Sequence, residues 1–289
     1  MVVQHNTLIE SSYKMTLTEQ RLIRICVTQI RRDNSKNARK HVISVYDYNR
    51  TFGLSDTRKE LEKASRELIK RYVESNVQHE KMGKRWNKSI ISIVESVSFN
   101  NDSIMIQFTE SIMPLFEDLR GNHTTYELKD IVRLNSVYAV RFFEIFKQYQ
   151  TIGERVITVN QMRVMFGLEK KYKAHKDFKK RVIDTAVDEI NLHSPIRVSY
   201  EQFKKGRIIH AYSFKIERKA TKLQISRNKS ARQTEKMKDT ITKALDQKKR
   251  ILIDGEVVLE INGPVISLEN GNSVLLHAVI TNGSTFTID

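Results

Sequence analysis

The chain of 289 residues has a single cysteine, Cys26, which excludes an intrachain disulfide. Cys26 lies among apolar residues at helical spacing, which favours a buried, unreactive thiol. Neither Cys-x-x-Cys nor His-x-x-x-His spacing occurs, so the common zinc-ligand patterns are missing. No apolar run approaches the ~18 residues of a membrane-spanning helix, and the N-terminus lacks a signal-peptide pattern. We therefore expect a cytoplasmic protein without membrane contact, metal or cofactor.

Enzyme signatures are also missing. The sequence has no Gly-x-x-x-x-Gly-Lys-Ser/Thr phosphate loop, which argues against an ATP-driven helicase. None of the eight histidines forms a His-x-His pair, the metal-binding arrangement of rolling-circle nickases. Adjacent acidic residues such as Asp188 and Glu189 fit the surface of a helix better than a two-metal site, which needs several convergent carboxylates. The expectation is a protein that binds and does not catalyse.

Positive charge dominates the composition. Lysine and arginine number 50 against 34 acidic residues, a net charge of +16 and a pI near 9.8. Such a balance favours a polyanionic partner, either nucleic acid or an anionic membrane. No lysine or arginine follows Arg250, and the charged residues beyond it are all acidic, which marks a separate C-terminal segment.

One thirteen-residue pattern occurs twice, 114 positions apart. In the first copy Val42–Val45 is followed after six residues by Phe52–Leu54, and in the second Val156–Val159 is followed after six by Phe166–Leu168. A basic amphipathic helix follows each copy. Since solenoid repeats have periods of roughly 20–50 residues, this longer spacing indicates one module used twice.

The first copy has the element order of a winged helix. Thr16 and Glu19 form a capping-box pattern before a helix with one apolar face, and 42–45 is a short β-branched strand. A short helix over 46–52 is stopped by Gly53. Thr57 and Glu60 then form a second capping-box pattern before the basic helix, and a hairpin with a basic tip follows.

The second copy repeats this order. The sequence predicts a mostly apolar helix over 136–149, a strand over 156–159 and a short helix over 161–166. A long helix is expected over 177–192, ended by Pro195. The hairpin is expected from 196–200 and 207–216, with Gly206 at its tip.

We therefore predict an α+β chain with tandem winged-helix domains at 1–124 and 125–218. A basic linker or helix follows at 219–250, and a small acidic β-rich tail at 251–289. Because that tail is under 40 residues long, we expect it to need a partner surface for stability.

Basic residues recur on equivalent elements of both modules. In a winged helix the helix after the strand–helix pair enters the major groove, and the hairpin wing contacts the backbone or minor groove. A solvated surface charge is the alternative for any single lysine, but the matching stripes in both copies favour DNA contact. The candidates are, on the first helix, Arg58, Lys59, Lys63 and Arg66; on the first wing, Lys81, Lys84 and Arg85; at the second helix, Lys173, His175, Lys176, Lys179 and Lys180; and on the second wing, Lys204, Lys205 and Arg207.

Several separate blocks of residues 3–218 resemble theta-type, iteron-binding plasmid replication initiators and occur in that family's order. These blocks are Asn6–Tyr13, Leu17–Ile23, Phe108–Leu115, Tyr126–Arg141, Asp177–Asn191 and Lys205–Arg207. The resemblance implies binding of double-stranded DNA at repeated plasmid-origin sequences (iterons) by two winged-helix domains. It also implies opening of an adjacent AT-rich region, recruitment of the host replication initiator and helicase machinery, and a possible homodimer that represses its own gene. By the same likeness, the helix starting near Lys176 is the main base reader. The resemblance does not extend to 219–289.

Two other functions remain open from the sequence. A double winged-helix transcriptional regulator or autorepressor could make the same DNA contacts, and a single palindrome beside the gene would favour it over an iteron array. An origin nickase or primase is the third hypothesis, for which we expect no metal-dependent cleavage or priming.

Overall fold

The computed structural model describes residues 1–30, 39–75, 79–81, 84–86, 88–117, 121–220, 222–247, 249–281 and 284–288. Within these ranges, side chains are described except at 75, 79–81, 84–86, 222–229, 277 and 281. The chain forms two compact units, Met1–Lys219 and Ala220–Asp289, and each is treated by itself below. Within the described part of the chain, no helix has the length and apolarity needed to cross a membrane.

The first half of unit 1 contains helices packed on a three-stranded antiparallel sheet. The elements are β1 (Val2–His5), α1 (Asn6–Glu10), α2 (Leu17–Ile30), β2 (Lys40–Ser44), α3 (Val45–Phe52), α4 (Arg58–Leu68), β3 (Tyr72–Ser75), β4 (His79–Lys81), β5 (Lys84–Trp86), β6 (Ser89–Ser92), β7 (Val94–Phe99), β8 (Ser103–Phe108), α5 (Pro114–Glu117) and β9 (His123–Tyr126). The three-stranded sheet has the order β2-β8-β7. Strand β9 pairs with β1 in a separate two-stranded sheet, and two short ladders, β3–β6 and β4–β5, form the hairpin region.

Of the two capping boxes predicted in this half, the structure contains one. The capping box before α2 is confirmed, since the Thr16 amide donates to Glu19 Oε2 at 2.8 Å and the Glu19 amide donates to Thr16 Oγ1 at 3.2 Å. The box expected from Thr57 and Glu60 is wrong. The Thr57 hydroxyl donates instead to Asn49 Oδ1 at 2.6 Å, and Glu60 accepts a bond from the Thr18 hydroxyl. Both side chains have partners on other elements, which local spacing does not reveal.

The second half of unit 1 repeats the arrangement, after a 3-10 turn at Leu128–Asp130. Its elements are α6 (Val137–Gln148), β10 (Glu154–Thr158), α7 (Val159–Met165), α8 (His175–Phe178), a π-helical segment (Lys179–Asp184), α9 (Thr185–His193), β11 (Ile196–Lys205) and β12 (Ile208–Arg218). Its sheet has the order β10-β12-β11. α8, the π-helical segment and α9 follow one another without a break, so the predicted long helix is confirmed and runs over 175–193.

The repeat seen in the sequence is the structural repeat. Ile43 in β2 and Ile157 in β10 are both buried, and each strand lies at the edge of its sheet, paired with the central strand. Gly53 and Gly167 follow α3 and α7 with φ of 63° and 60°, the left-handed region that glycine enters without steric cost. The predicted α+β class with tandem winged-helix domains is therefore confirmed.

Both winged helices share one hydrophobic cluster that extends from Val2 to Ile216. A buried ion pair crosses between them, with Arg24 of α2 bonded to both carboxylate oxygens of Glu144 on α6 at 2.7 and 3.0 Å. Tyr126 and Gln4 also donate to Glu144, so its carboxylate is fully surrounded by donors. The predicted boundary between residues 124 and 125 lies inside β9 and stays a prediction.

Unit 2 consists of one long helix packed against a five-stranded sheet. Its elements are α10 (Lys222–Asp246), β13 (Ile251–Ile253), β14 (Glu256–Asn262), β15 (Val265–Leu268), β16 (Ser273–Leu275), α11 (Leu276–Thr281) and β17 (Phe286–Ile288). The sheet has the order β16-β15-β14-β13-β17. Ile241 and Ala244 of α10 are buried in the same cluster as Ile253, Val258 and Ile266 of the sheet. The partner surface expected for the β-rich tail is thus supplied by the helix before it.

Candidate nucleic-acid interface

The helix over residues 175–193 presents basic side chains from its N-terminal half. Phe178, Val182 and Ile183 are buried and hold it against the core. Lys176 and Lys180 are exposed, and no ion pair is found for either within the described part of the chain. In helix-turn-helix proteins the N-terminal residues of the recognition helix contact base edges, which is where these two lysines lie.

Lys179 lies between them in sequence but has partners inside the protein. Its ammonium forms an ion pair with Asp184 at 2.9 Å and lies 5.4 Å from the ring centroid of Tyr200, whose hydroxyl also donates to Asp184. Hydrogen bonds with Tyr200 and Asp184 raise the pKa of Lys179 above its ordinary value. Lys179 is therefore charged, and Asp184 offsets its charge within the helix.

His175, at the start of the helix, faces the second sheet. Its Nε2 is 2.8 Å from the hydroxyl of Tyr212, and the two rings stack with centroids 6.0 Å apart. Burial lowers the pKa of His175, and the nearby positive charges of Arg163 and Lys179 lower it further, which disfavours the imidazolium form. In this structure His175 contributes packing and a hydrogen bond with Tyr212. Lys173 is exposed in the segment just before the helix.

The second wing is the long hairpin of β11 and β12. Its two-residue turn is Gly206 and Arg207, and Gly206 has a φ of 64°, the positive sign that two-residue hairpin turns require. Lys204, Lys205 and Arg207 are all exposed at the tip. Ile208 beside them is 75% exposed, so the tip carries an apolar side chain among cations.

On the first module, α4 carries the four predicted basic residues in different surroundings. Arg58 is bonded to Glu62 at 2.7 Å and to the backbone carbonyl of Asn100 at 2.6 Å, which ties the start of α4 to the turn after β7. The guanidinium of Arg66 lies 5.0 Å from the ring centroid of Phe99. Lys59 and Lys63 are exposed.

The first wing can be described only by its backbone. Lys81 belongs to β4, Lys84 and Arg85 to β5, and the two strands pair as a hairpin. Their side chains lie outside the described residues, so the three contacts stay predictions.

Two arginines near the second helix were missed by sequence reasoning. Arg181 is exposed directly after Lys180, and the Lys-Lys-Arg run at 179–181 was the available signal. Arg163 donates to the backbone carbonyls of Lys171 and Tyr172, both at 2.7 Å, and its guanidinium lies 4.6 Å from the ring centroid of Phe178. Arg163 thereby fixes the loop that leads into the helix, a role with no local sequence pattern.

Comparison with known proteins gives two family-model matches. The model described as "Initiator Replication protein, WH1" matches residues 1–147, and that described as "Initiator Rep protein, WH2" matches residues 158–216. The two models together span most of the chain and leave out unit 2.

Among curated proteins, a "Replication initiation protein" of Escherichia coli is 24% identical over 227 residues, which cover 75% of this chain and 69% of that protein. An "Uncharacterized 27.6 kDa protein" of Escherichia coli is 23% identical over 226 residues, covering 72% and 92%. Among solved structures, the Pi initiator protein in complex with iteron DNA has a TM-score of 0.58 at 17% identity, covering 74% of this chain and 96% of that one. At that identity the likeness concerns the fold.

Proposed function

The chain belongs to the Initiator Replication protein family, and on that premise we propose that it initiates plasmid replication by binding repeated origin sequences as double-stranded DNA. The observation that carries the proposal is the structural repeat with an exposed basic helix on each copy. The solved structure of similar fold, the Pi initiator protein, is described as a complex with iteron DNA, which supports the same mode of binding here.

In this proposal each module reads one major groove. An α-helix fits the major groove, which is roughly 12 Å wide, and two such helices on one face of a duplex contact grooves about one turn apart. Lys176 and Lys180 of the second module and Lys59 and Lys63 of the first supply the contacts from the helices. The tip of the second wing, with Lys204, Lys205 and Arg207, supplies phosphate contacts. Arg58 ties its helix to the turn after β7 through the Asn100 carbonyl, and Lys179 ties its helix to β11 through Tyr200.

Origin opening and protein partners belong to the proposal as well. Binding in successive grooves would strain an adjacent AT-rich region, and the host initiator and helicase machinery would then be recruited. A second copy of the chain is a further partner, because β2 lies at the edge of its sheet and its Val42 side chain is exposed. We propose that the protein works in the cytoplasm on plasmid DNA, by binding alone and without a cofactor.

The test uses the DNA that flanks the gene. Footprinting should show protection at direct repeats of one sequence, and a plasmid carrying that region should replicate only when the protein is supplied. Protection of a single palindrome without plasmid replication would instead identify a transcriptional regulator. Nicking or priming that depends on a divalent metal would contradict the proposed absence of catalysis.

A further inference from the structure

The second wing extends beyond the sheet that supports it. β10 pairs with β12 only over residues 211–215, so residues 204–210 form a two-stranded arm that β10 does not cover. A register shift between Phe203 and Lys204 marks the start of this arm. Such bulges bend a pair of strands and redirect its side chains. The arm therefore carries the turn of the hairpin away from β10.

Two large apolar side chains are exposed on the wing. Ile208 is 75% exposed, and Phe203 at the base of the arm is 48% exposed. Ile208 pairs with Lys205, two residues after Phe203 on β11, so these three side chains lie on one face of the hairpin. Ile209, on the other face, packs against the core instead. Ile208 and Phe203 can thus bury their apolar surface fully only against a partner.

The surroundings of these two apolar side chains are cationic. Lys204, Lys205 and Arg207 are all exposed, and residues 203–210 contain no aspartate or glutamate. A partner that matches this combination has negative charge beside accessible apolar surface. Duplex DNA has both, because its phosphates border a minor groove into which apolar side chains of other proteins insert.

The tip of the wing lies at a defined reach from the helix over 175–193. Lys179 of that helix is 5.4 Å from the ring centroid of Tyr200 on β11. Lys205 follows Tyr200 by five residues, which at roughly 3.3 Å per residue amounts to about 17 Å of strand. One turn of duplex DNA is about 34 Å long, so a neighbouring minor groove is about half a turn, or ~17 Å, from an occupied major groove. With the helix in the major groove, the arm is long enough to reach that minor groove.

We propose that Ile208, together with Phe203, inserts into this minor groove and partly separates two stacked base pairs. The groove is roughly 6 Å wide, which admits side chains but not a two-stranded hairpin. Apolar side chains that enter between base steps kink the duplex by ~20–90°. Steps such as TA and CA unstack most easily, so Ile208 selects one of them at that position. The inference rests on the proposed DNA binding by the second module.

The test measures base unstacking and bending by the full chain on the duplex that footprinting shows to be protected. Aminopurine, an adenine analogue that fluoresces more strongly when unstacked, replaces the adenine of each TA or CA step in turn. Energy transfer between dyes at the two ends of the duplex reports the bend. With the wild type we expect a rise in fluorescence at one step and a bend of at least ~20°.

Ile208→Ala should abolish the fluorescence rise, reduce the bend and weaken binding about tenfold, through loss of a buried apolar contact. Its salt slope should stay unchanged, because no cation is removed. Ile208→Leu keeps an apolar side chain of the same size and should retain unstacking and bending. The side chain is exposed, so both variants should keep the wild-type Tm.

Ile152→Ala is the matched control. Ile152 is 72% exposed and precedes Gly153, whose carbonyl accepts a bond from Ile216 at the opposite end of the hairpin from its tip. This variant should unstack and bend DNA like the wild type. Changing the unstacked step to AA, which is stiffer, should weaken wild-type binding about tenfold and leave that of Ile208→Ala unchanged.

Equal bending by the wild type and Ile208→Ala, or no fluorescence rise at any step, would overturn the proposal. It would also be overturned if Ile208→Ala lost binding to anionic lipid vesicles while DNA bending stayed intact, since the tip would then contact a membrane. If the protected DNA is a single palindrome that Ile208→Ala no longer bends, the insertion is supported and the proposed initiator function is refuted. Protected direct repeats without unstacking would refute the insertion alone.

Discussion

Lys179 and Asp184 form an ion pair at 2.9 Å although they are five residues apart in one helix. In an α-helix the neighbours on one face are three or four residues apart, so a pair at this spacing depends on the π-helical segment Lys179–Asp184. The wider turn directs Lys179 to Asp184 and Tyr200, at the base of the wing. The helix over 175–193 and the second wing are thereby joined by one polar cluster, while Lys176 and Lys180 remain exposed.

The exposed lysines should account for the salt dependence of DNA binding. Each lysine that neutralises a phosphate contributes about 0.9 to the slope of log K against log salt. We expect Lys176→Ala and Lys180→Ala each to reduce that slope by about 0.9 without lowering Tm. Lys129→Ala, an exposed lysine paired with Glu127, is the control and should leave the slope unchanged. Equal slopes for all three variants in mobility-shift titrations would refute this assignment.

Removing the partner of Lys179 should have the opposite effect. Asp184→Asn keeps the shape of the side chain but frees the lysine's charge, so binding to DNA of random sequence should tighten and its salt slope should steepen by about 0.9. Asp188→Asn is the matched control, since Asp188 is exposed in the same helix and loses the same charge. If both variants change the slope equally, the effect is net charge and the pairing of Lys179 is irrelevant to DNA binding.

The fold could be predicted from the sequence because its strongest signals are local and occur twice. The strand–helix–glycine pattern specifies the same turn at Gly53 and Gly167, whichever elements follow each copy. The surroundings of single charges could not be predicted in this way. The bonds of Arg58 to the Asn100 carbonyl and of Thr57 to Asn49 are tertiary contacts, and the pairing of Lys179 with Asp184 needs a π-helical turn. None of these three leaves a spacing in the sequence. The sequence also leaves residues 219–250 open between a basic linker and a helix. In the structure α10 is a packed helix because it covers the sheet of unit 2, a contact that local sequence does not reveal.

Gly53 and Gly167 occupy equivalent positions in the two modules, so the cost of the same substitution can be compared between them. Gly53 and Gly167 share a positive φ, so Gly→Ala should cost about 1 kcal/mol of unfolding free energy at either position from backbone strain. A Cβ at Gly53 would meet nothing, whereas at Gly167 it would lie 3.0 Å from the Lys14 side chain. Gly167→Ala should therefore cost more in urea unfolding, and adding Lys14→Ala should remove the excess. Equal costs in both backgrounds would show that Lys14 moves aside freely.

The division into two units predicts where the chain can be cut. Among the residues that the structure describes, the cluster of unit 1 has no member beyond Ile216, so residues 1–219 should fold alone and retain DNA binding. A cut after Arg250 leaves α10 without the sheet and exposes Ile241 and Ala244, which are buried in the full chain. We expect that fragment to aggregate in light-scattering measurements while the shorter one stays monodisperse. Aggregation of the shorter fragment instead would mean that unit 1 depends on unit 2.

The buried pair of Arg24 and Glu144 should make unit 1 sensitive to acid. Burial alone would raise the pKa of Glu144, but the charge and hydrogen bond of Arg24 outweigh it and hold that pKa below its ordinary value. A carboxylate whose pKa is lowered on folding contributes stability above its unfolded pKa, and this contribution is lost as pH falls through the folded pKa. Urea unfolding of residues 1–219 should therefore show a fall in stability below about pH 4. Glu144→Gln should lower the free energy of unfolding by about 3–5 kcal/mol at pH 7, because it leaves Arg24 buried without its counter-charge. In this variant the stability should also fall less steeply at acid pH than in the wild type. Glu127→Gln, at an exposed carboxylate, is the control. A Glu144→Gln variant with wild-type stability at pH 7 would show that the pair does not hold the two modules together.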